Sequence, residues 1–146
     1  MKLTTLARYV LTLAVVMLLG ACTGVPVKPT TAQTLSACGW LPHCVNSQSG
    51  RGVQAVAPIK ADAGQWQGLK VWIGTQKDWT ITVDDGNFLQ AVVTTSTMRF
   101  RDDVQLLFVA DVGLIQAYSS SRLGISDLGT NARRVAMLRD QVAGTK

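Results

Sequence analysis

A long polar run lies between Ser121 and Arg134, and its residue types suit an anion site. Arg122 follows a strand-like stretch, and Gly124 and Gly129 open backbone angles that other residues avoid. Ser126, Asp127 and Asn131 place polar groups just ahead of a helix-forming segment that carries Arg134. A helix N-terminus flanked by Arg and Ser can hold an anion on its unpaired N–H groups. The same residues have a structural use, which is the plainer expectation. Asp127 or Asn131 can cap the helix, and Arg122 can pair with Asp127, Asp102 or Asp103. Such a pair fixes geometry more reliably than it adds stability.

Other candidate chemistry is thinner. Asp102 and Asp103 could bind a divalent cation or act as an acid–base pair. Adjacent residues on a strand point to opposite faces, however, so the plainer expectation is a turn in which one carboxylate pairs with Arg99, Arg101 or Arg122. His43 is the only histidine and thus the only base for a Ser–His–Asp hydrolase, yet it sits beside Pro42 between two cysteines. Cys38, His43 and Cys44 could be zinc ligands but lack a fourth. All nine acidic residues are Asp, and no Gly-rich phosphate loop is present. No catalytic set, metal or cofactor is therefore expected. An enzyme built from this chain would need Asp103, Ser121, Arg122, Asp127 and Asn131 to meet in one cleft. Trp66 and Trp72 read as core, whereas Trp40 can touch lipid or a partner.

The N-terminus concerns location. Lys2 and Arg8 precede an apolar run from Tyr9 to Leu19, broken only by Thr12, and Leu19-Gly20-Ala21-Cys22 follows. Eleven residues match the apolar part of a secretory signal, which runs about 7–15, and fall short of the roughly 20 that span a bilayer. The ending resembles the lipobox of bacterial lipoproteins. That resemblance implies cleavage before Cys22, a diacylglyceryl group on its thiol and acylation of its amine. Two or more chains give stable anchoring where one is marginal. Thr23, in place of the Asp typical of inner-membrane retention, points to the outer membrane, facing the periplasm. Residues 1–21 are then a signal peptide, and 22–37 a lipidated cysteine and flexible tether with Pro26 and Pro29. Residues 38–146 make a single domain. With Cys22 acylated, Cys38 and Cys44 remain as an even pair in an oxidising compartment, where a disulfide is the natural expectation. Losing Lys2 and Arg8 brings the net charge from +5 to +3. That is too mild and unclustered to imply nucleic acid.

Periodicity supplies the elements that must position the polar run. A helix is expected over 62–75, with Asp62 as N-cap and Trp66, Leu69, Trp72 and Ile73 on one face. Four strands follow: Trp79 to Val83, Phe88 to Phe100, Val104 to Ala110 and Leu114 to Ser121. Turns at Asp84–Asn87, Arg101–Asp103 and Asp111–Gly113 separate them. A last helix runs from about Thr130 to Ala143, with Val135, Leu138 and Val142 inward. Cys38 to Pro58 reads as a stapled loop. The fold class is α+β: a four-stranded antiparallel meander covered on one face by an N-terminal and a C-terminal helix, a two-layer sandwich.

Several of these segments carry a family resemblance. Cys38 and Cys44 precede Val45-Asn46-Ser47-Gln48, Phe100-Arg101-Asp102-Asp103-Val104 follows, and Ser121-Arg122-Leu123-Gly124-Ile125-Ser126-Asp127-Leu128-Gly129-Thr130-Asn131 leads to Arg134-Val135. The pattern resembles the domain-of-unknown-function 1499 family (DUF1499), over roughly Cys38 to Ala143. The resemblance implies a bacterial envelope lipoprotein of unestablished activity. Two departures stand out: His43 where relatives tend to have Asn, and Tyr118 where many have an Arg, which implies weaker anion holding. The expected function is a non-enzymatic envelope lipoprotein, anchored to the membrane through Cys22. It would bind a small anionic ligand or an envelope protein through Asp103, Ser121, Arg122, Ser126, Asp127, Asn131 and Arg134. An envelope hydrolase using Asp103, Arg122, Asp127 and Asn131, and a purely structural protein, are the alternatives.

Overall fold

The computed structural model describes residues 34–96 and 98–145; the signal segment, Cys22 and the tether as far as Gln33 lie outside them. The chain order is β1 (Cys44–Asn46), β2 (Ile59–Lys60), α1 (Ala63–Thr75), β3 (Trp79–Asp85), β4 (Phe88–Thr94), β5 (Arg101–Val109), β6 (Leu114–Ser121) and α2 (Thr130–Gly144). All strand pairings are antiparallel, in the order β1-β6-β5-β4-β3, with β2 also paired to β6. The α+β class and the meander of four long strands are as the periodicity predicts. The sheet has six strands, however, not four. Segments of three and two residues are too short to show an alternation, so β1 and β2 read as loop. They lie along the outer side of β6, which a four-stranded meander would leave as an exposed edge.

Both helices pack on one face. Asp62 caps α1 by accepting the Gln65 N–H at 2.8 Å while the Gln65 side chain accepts the Asp62 N–H at 3.0 Å, a reciprocal capping box. Trp66, Leu69 and Ile73 from α1 and Val135, Leu138 and Val142 from α2 meet Leu89, Ala91, Val104, Leu106, Ile115 and Ala117 of the sheet. Each large aliphatic side chain buried there contributes about 1.5–3 kcal/mol. Among the described residues, no helix is long and apolar enough to cross a membrane.

The opposite face is not bare. Residues 34–37, read from sequence as tether, lie against it. The Ser36 N–H donates to Gln105 Oε1 at 2.8 Å, the Leu35 N–H to Gln48 Oε1 at 2.9 Å, and Asn46 Nδ2 to the Ser36 carbonyl at 2.7 Å. Leu35 joins Cys44, Phe88, Leu107 and Tyr118 in a second, smaller cluster. A disulfide joins Cys38 to Cys44, with Cα atoms 5.6 Å apart. It spends both thiols and removes the zinc alternative. Replacing both cysteines by Ser should cost about 2 kcal/mol, the chain-entropy value for so short a loop. Equilibrium urea unfolding of the oxidised and reduced protein reads that loss. The same substitution should open the 34–43 segment to proteolysis while the sheet stays protected.

The turn between β4 and β5 also differs from expectation. Strand β4 stops at Thr94, because Thr95 closes a turn: its N–H donates to the Phe100 carbonyl, its Oγ1 accepts the Phe100 N–H at 2.9 Å, and its carbonyl accepts the Arg99 N–H. Arg99 takes a φ of 53° there. Arg101-Asp102-Asp103 is consequently strand, not turn. Two neighbouring aspartates enter a buried strand because each face supplies its own arginine.

Candidate functional site

Strand β6 ends in Ser119-Ser120-Ser121, three small hydroxyl residues that leave room for long side chains above and below the sheet. In register, Asp102 lies opposite Ser121 and Asp103 opposite Ser120. Alternation therefore sends Asp102, Ser119 and Ser121 to the helix face and Asp103, Ser120 and Tyr118 to the other.

On the helix face, α2 contributes Asn131 and Arg134 to its own buried stripe. Arg134 Nη2 meets Asp102 Oδ2 at 2.6 Å, and Nη1 donates to Ser119 Oγ at 2.8 Å and Asn131 Oδ1 at 2.6 Å. The Ser119 hydroxyl donates to Asn131 Oδ1 at 2.6 Å. Asn131 Nδ2 donates to the His43 carbonyl at 2.9 Å and to Ser121 Oγ at 3.1 Å. One asparagine thus joins α2, β6 and the stapled loop. On the other face, Arg122 grips Asp103 with two parallel bonds, Nε to Oδ2 at 2.8 Å and Nη2 to Oδ1 at 2.7 Å. The side chains are 8% and 1% exposed. That bonding to Asp103 raises the Arg122 pKa, against the opposing effect of burial. Tyr118 is buried on this face with its hydroxyl pKa pushed up, chiefly by burial.

The loop between β6 and α2 is held as tightly. Asp127 accepts the Gly129 N–H at 3.0 Å and the Asn131 N–H at 2.8 Å, capping α2 from two residues ahead of its Gly129 N-cap. Ser126 Oγ accepts the Leu128 N–H at 3.3 Å. Leu128 has a φ of 50°, a left-handed conformation costing about 1–2 kcal/mol for a side-chain-bearing residue. Arg133 buttresses it by donating to the Leu128 carbonyl at 2.9 Å. Gly129 follows at φ 79°. Burial alone would raise the Asp127 pKa, but the backbone N–H groups of Asn131 and Gly129 together outweigh it and hold the carboxyl below its ordinary value. A carboxyl depressed in the folded state contributes stability above its unfolded pKa. That contribution disappears as pH falls through the folded pKa. Asp127→Ala should therefore cost about 1 kcal/mol at neutral pH, as cap removals do. The deficit should shrink once pH drops below about 4. Thermal melts of both proteins from neutral to acid pH measure it.

These contacts enclose a cleft of about 260 Å³ lined by Phe100, Asp102, Ser121, Leu123, Asp127 and Leu128. It adjoins a wider furrow of about 430 Å³ between α2 and β4, where Trp79, Arg134 and Met137 stand; Thr95 and Thr130 line both. Asp102 is buried and committed to Arg134, so the accessible wall is largely Phe100, Leu123 and Leu128. Phe100 is 40% exposed and Leu128 84%.

The sequence-predicted residues thus fall into two groups, with Asp103 and Arg122 on one face and Ser121, Asn131 and Arg134 on the other. Ser126 and Asp127 sit in the loop at the sheet's end. The hydrolase set of Asp103, Arg122, Asp127 and Asn131 does not converge. His43 Nδ1 stands 3.5 Å from Ser120 Oγ, at the outer limit of a hydrogen bond, and Ser120 is buried. Sequence reasoning offered Asp102 to Arg122 and not to Arg134, which holds it, and it missed Ser119 in the polar network and Phe100, Leu123 and Leu128 in the cleft.

An antiparallel sheet backed by two helices, with a braced loop over a small apolar cleft at one end, defines a two-layer α+β domain. The family model described as "Protein of unknown function (DUF1499)" matches residues 34–142, and the chain belongs to that family. No curated protein and no solved structure matches it.

Proposed function

We propose that this chain is a cell-envelope lipoprotein, held by acyl chains on Cys22 to the outer membrane and facing the periplasm. Its domain is a non-enzymatic module that binds a small ligand or a partner at the Phe100–Leu123–Leu128 cleft. One observation carries the reading of the domain. The motif's polar groups are engaged within the fold, while the accessible wall of the cleft beside them is apolar. Among the described residues, no buried side-chain nitrogen or oxygen lacks a partner. Both buried guanidiniums of the motif are paired with carboxylates, so an anion would have to displace Asp102 or Asp103. The cleft therefore favours an apolar or amphipathic ligand over the small anion expected from sequence. The charged residues shape the loop, and the loop offers apolar surface.

Two measurements test the two halves. For the domain, titration with the apolar fluorophore N-phenyl-1-naphthylamine should show saturable binding that Leu123→Asp abolishes and Val71→Asp, on exposed α1 surface, leaves intact. Binding indifferent to Leu123 would remove the cleft from the account. For the anchor, mass spectrometry of the mature N-terminal peptide should find an acyl-glyceryl mass on Cys22. An unmodified cysteine would end the lipoprotein reading.

A further inference from the structure

We propose that the end of the domain carrying the 122–129 loop docks on the surface of an anionic phospholipid bilayer. Three loops reach this end. Cys44 of β1 pairs with Ser120, so the stapled loop that precedes it brings Trp40 to the end of β6. The β4–β5 turn brings Met98 and Phe100, and the loop after β6 brings Ile125 and Leu128. Trp40 is 89% exposed, Leu128 84%, Ile125 77% and Met98 65%. A single exposed leucine means nothing, but large apolar side chains on three neighbouring loops mark an interaction surface.

Charge selects the occupant. Arg99, Arg101 and Arg133 are exposed among these residues; of the nearby acids, Asp127 is half-buried and bound to backbone N–H groups, and exposed Asp78, beside Arg99, is matched by exposed Lys77. Met98-Arg99-Phe100-Arg101 interleaves apolar side chains suited to the acyl boundary with guanidiniums suited to lipid phosphates. Reach also permits it. The described chain begins beside Gln105 and Leu107 of β5, about 20 Å along the strand from Arg101 at ~3.3 Å per residue. The segment from Cys22 to Gln33 extends to at most about 40 Å. An anchor at Cys22 therefore lets this end touch the bilayer that holds it.

The inference rests on the chain standing beside a bilayer, as proposed above, but not on the acyl group itself. The test accordingly uses residues 22–146 with Cys22→Ser, which carries no lipid, in co-sedimentation with vesicles. The protein should pellet with phosphatidylglycerol–phosphatidylethanolamine vesicles, less so in high salt, and stay in solution with phosphatidylcholine. Trp40→Ser combined with Leu128→Asn should weaken binding roughly ten-fold, since burial of apolar side chains drives interfacial binding. Arg99→Gln and Arg101→Gln should each weaken it roughly five-fold. Circular dichroism should match the parent in each case. A parent that stays in the supernatant with anionic vesicles, or folded loop variants that pellet as the parent does, would overturn the proposal. A missing acyl mass on Cys22 would instead count against the anchor alone.

Discussion

Arg134→Ala is expected to destabilise the domain by about 3–5 kcal/mol, the cost of leaving a buried charge without its partner. Asp102 is 2% exposed and its carboxylate takes Arg134 Nη2 at 2.6 Å. Removing the guanidinium leaves that carboxylate buried and takes one donor each from Ser119 and Asn131. Whole-domain stabilities are typically 5–15 kcal/mol, so a large share of the total is at stake. Replacing both partners with apolar residues of similar volume, Asp102→Leu with Arg134→Met, should cost less than Arg134→Ala alone. Replacing a buried pair outright is often near neutral, whereas breaking it is not. Urea unfolding of the three proteins gives the comparison. A double variant less stable than the single would mean that Arg134 acts through something other than Asp102.

The second large effect lies on the other face. Arg122→Ala should cost a similar 3–5 kcal/mol, because Asp103 is fully buried and receives both of its side-chain bonds from this one guanidinium. Arg122→Lys should recover only part of the loss, since an ammonium cannot reproduce the two parallel bonds. The two arginines bond different carboxylates on opposite faces, but those carboxylates are neighbours and Asp102 also acts electrostatically on Arg122, so a coupling of up to about 1 kcal/mol is expected between the two effects. A strong coupling between Arg122 and Arg134 would place them in one site and revive a convergent catalytic arrangement.

Much of this architecture is written in local patterns. The Asp62 cap and the Trp66–Leu69–Ile73 stripe follow from spacing alone, because that helix buries apolar residues at the period of its own backbone, and the bounds of β6 follow from its flanking turns. The polar interior was harder to read. Asn131 and Arg134 fall on the buried stripe of α2 beside Val135 and Leu138, but a hydrophobic pattern does not count them. Asp102 and Asp103 look like turn residues until each is given an arginine from 32 and 19 positions away. Those partners are set by tertiary packing. Strands β1 and β2 were hidden for a related reason, since they exist only as additions to β6. The candidate site was legible as a list of residues and not as a geometry: nothing in the Ser121–Arg134 run says that the sheet divides Arg122 from Arg134. The cleft's apolar wall comes from the unremarked positions between the motif residues, Leu123 and Leu128, and from Phe100 across the sheet.

At the centre of the account is a division of labour in which the motif's charges brace the loop and its apolar neighbours meet the ligand. The most direct test is fluorophore titration of a folded protein from which the charge pair on the cleft's own face has been removed, Asp102→Leu with Arg134→Met. Binding of N-phenyl-1-naphthylamine within about two-fold of the parent, well under the 1.4 kcal/mol of a ten-fold change, is the predicted result. Loss of binding in a double variant whose circular dichroism and unfolding cooperativity match the parent would contradict it, because the charges would then be acting on the ligand itself.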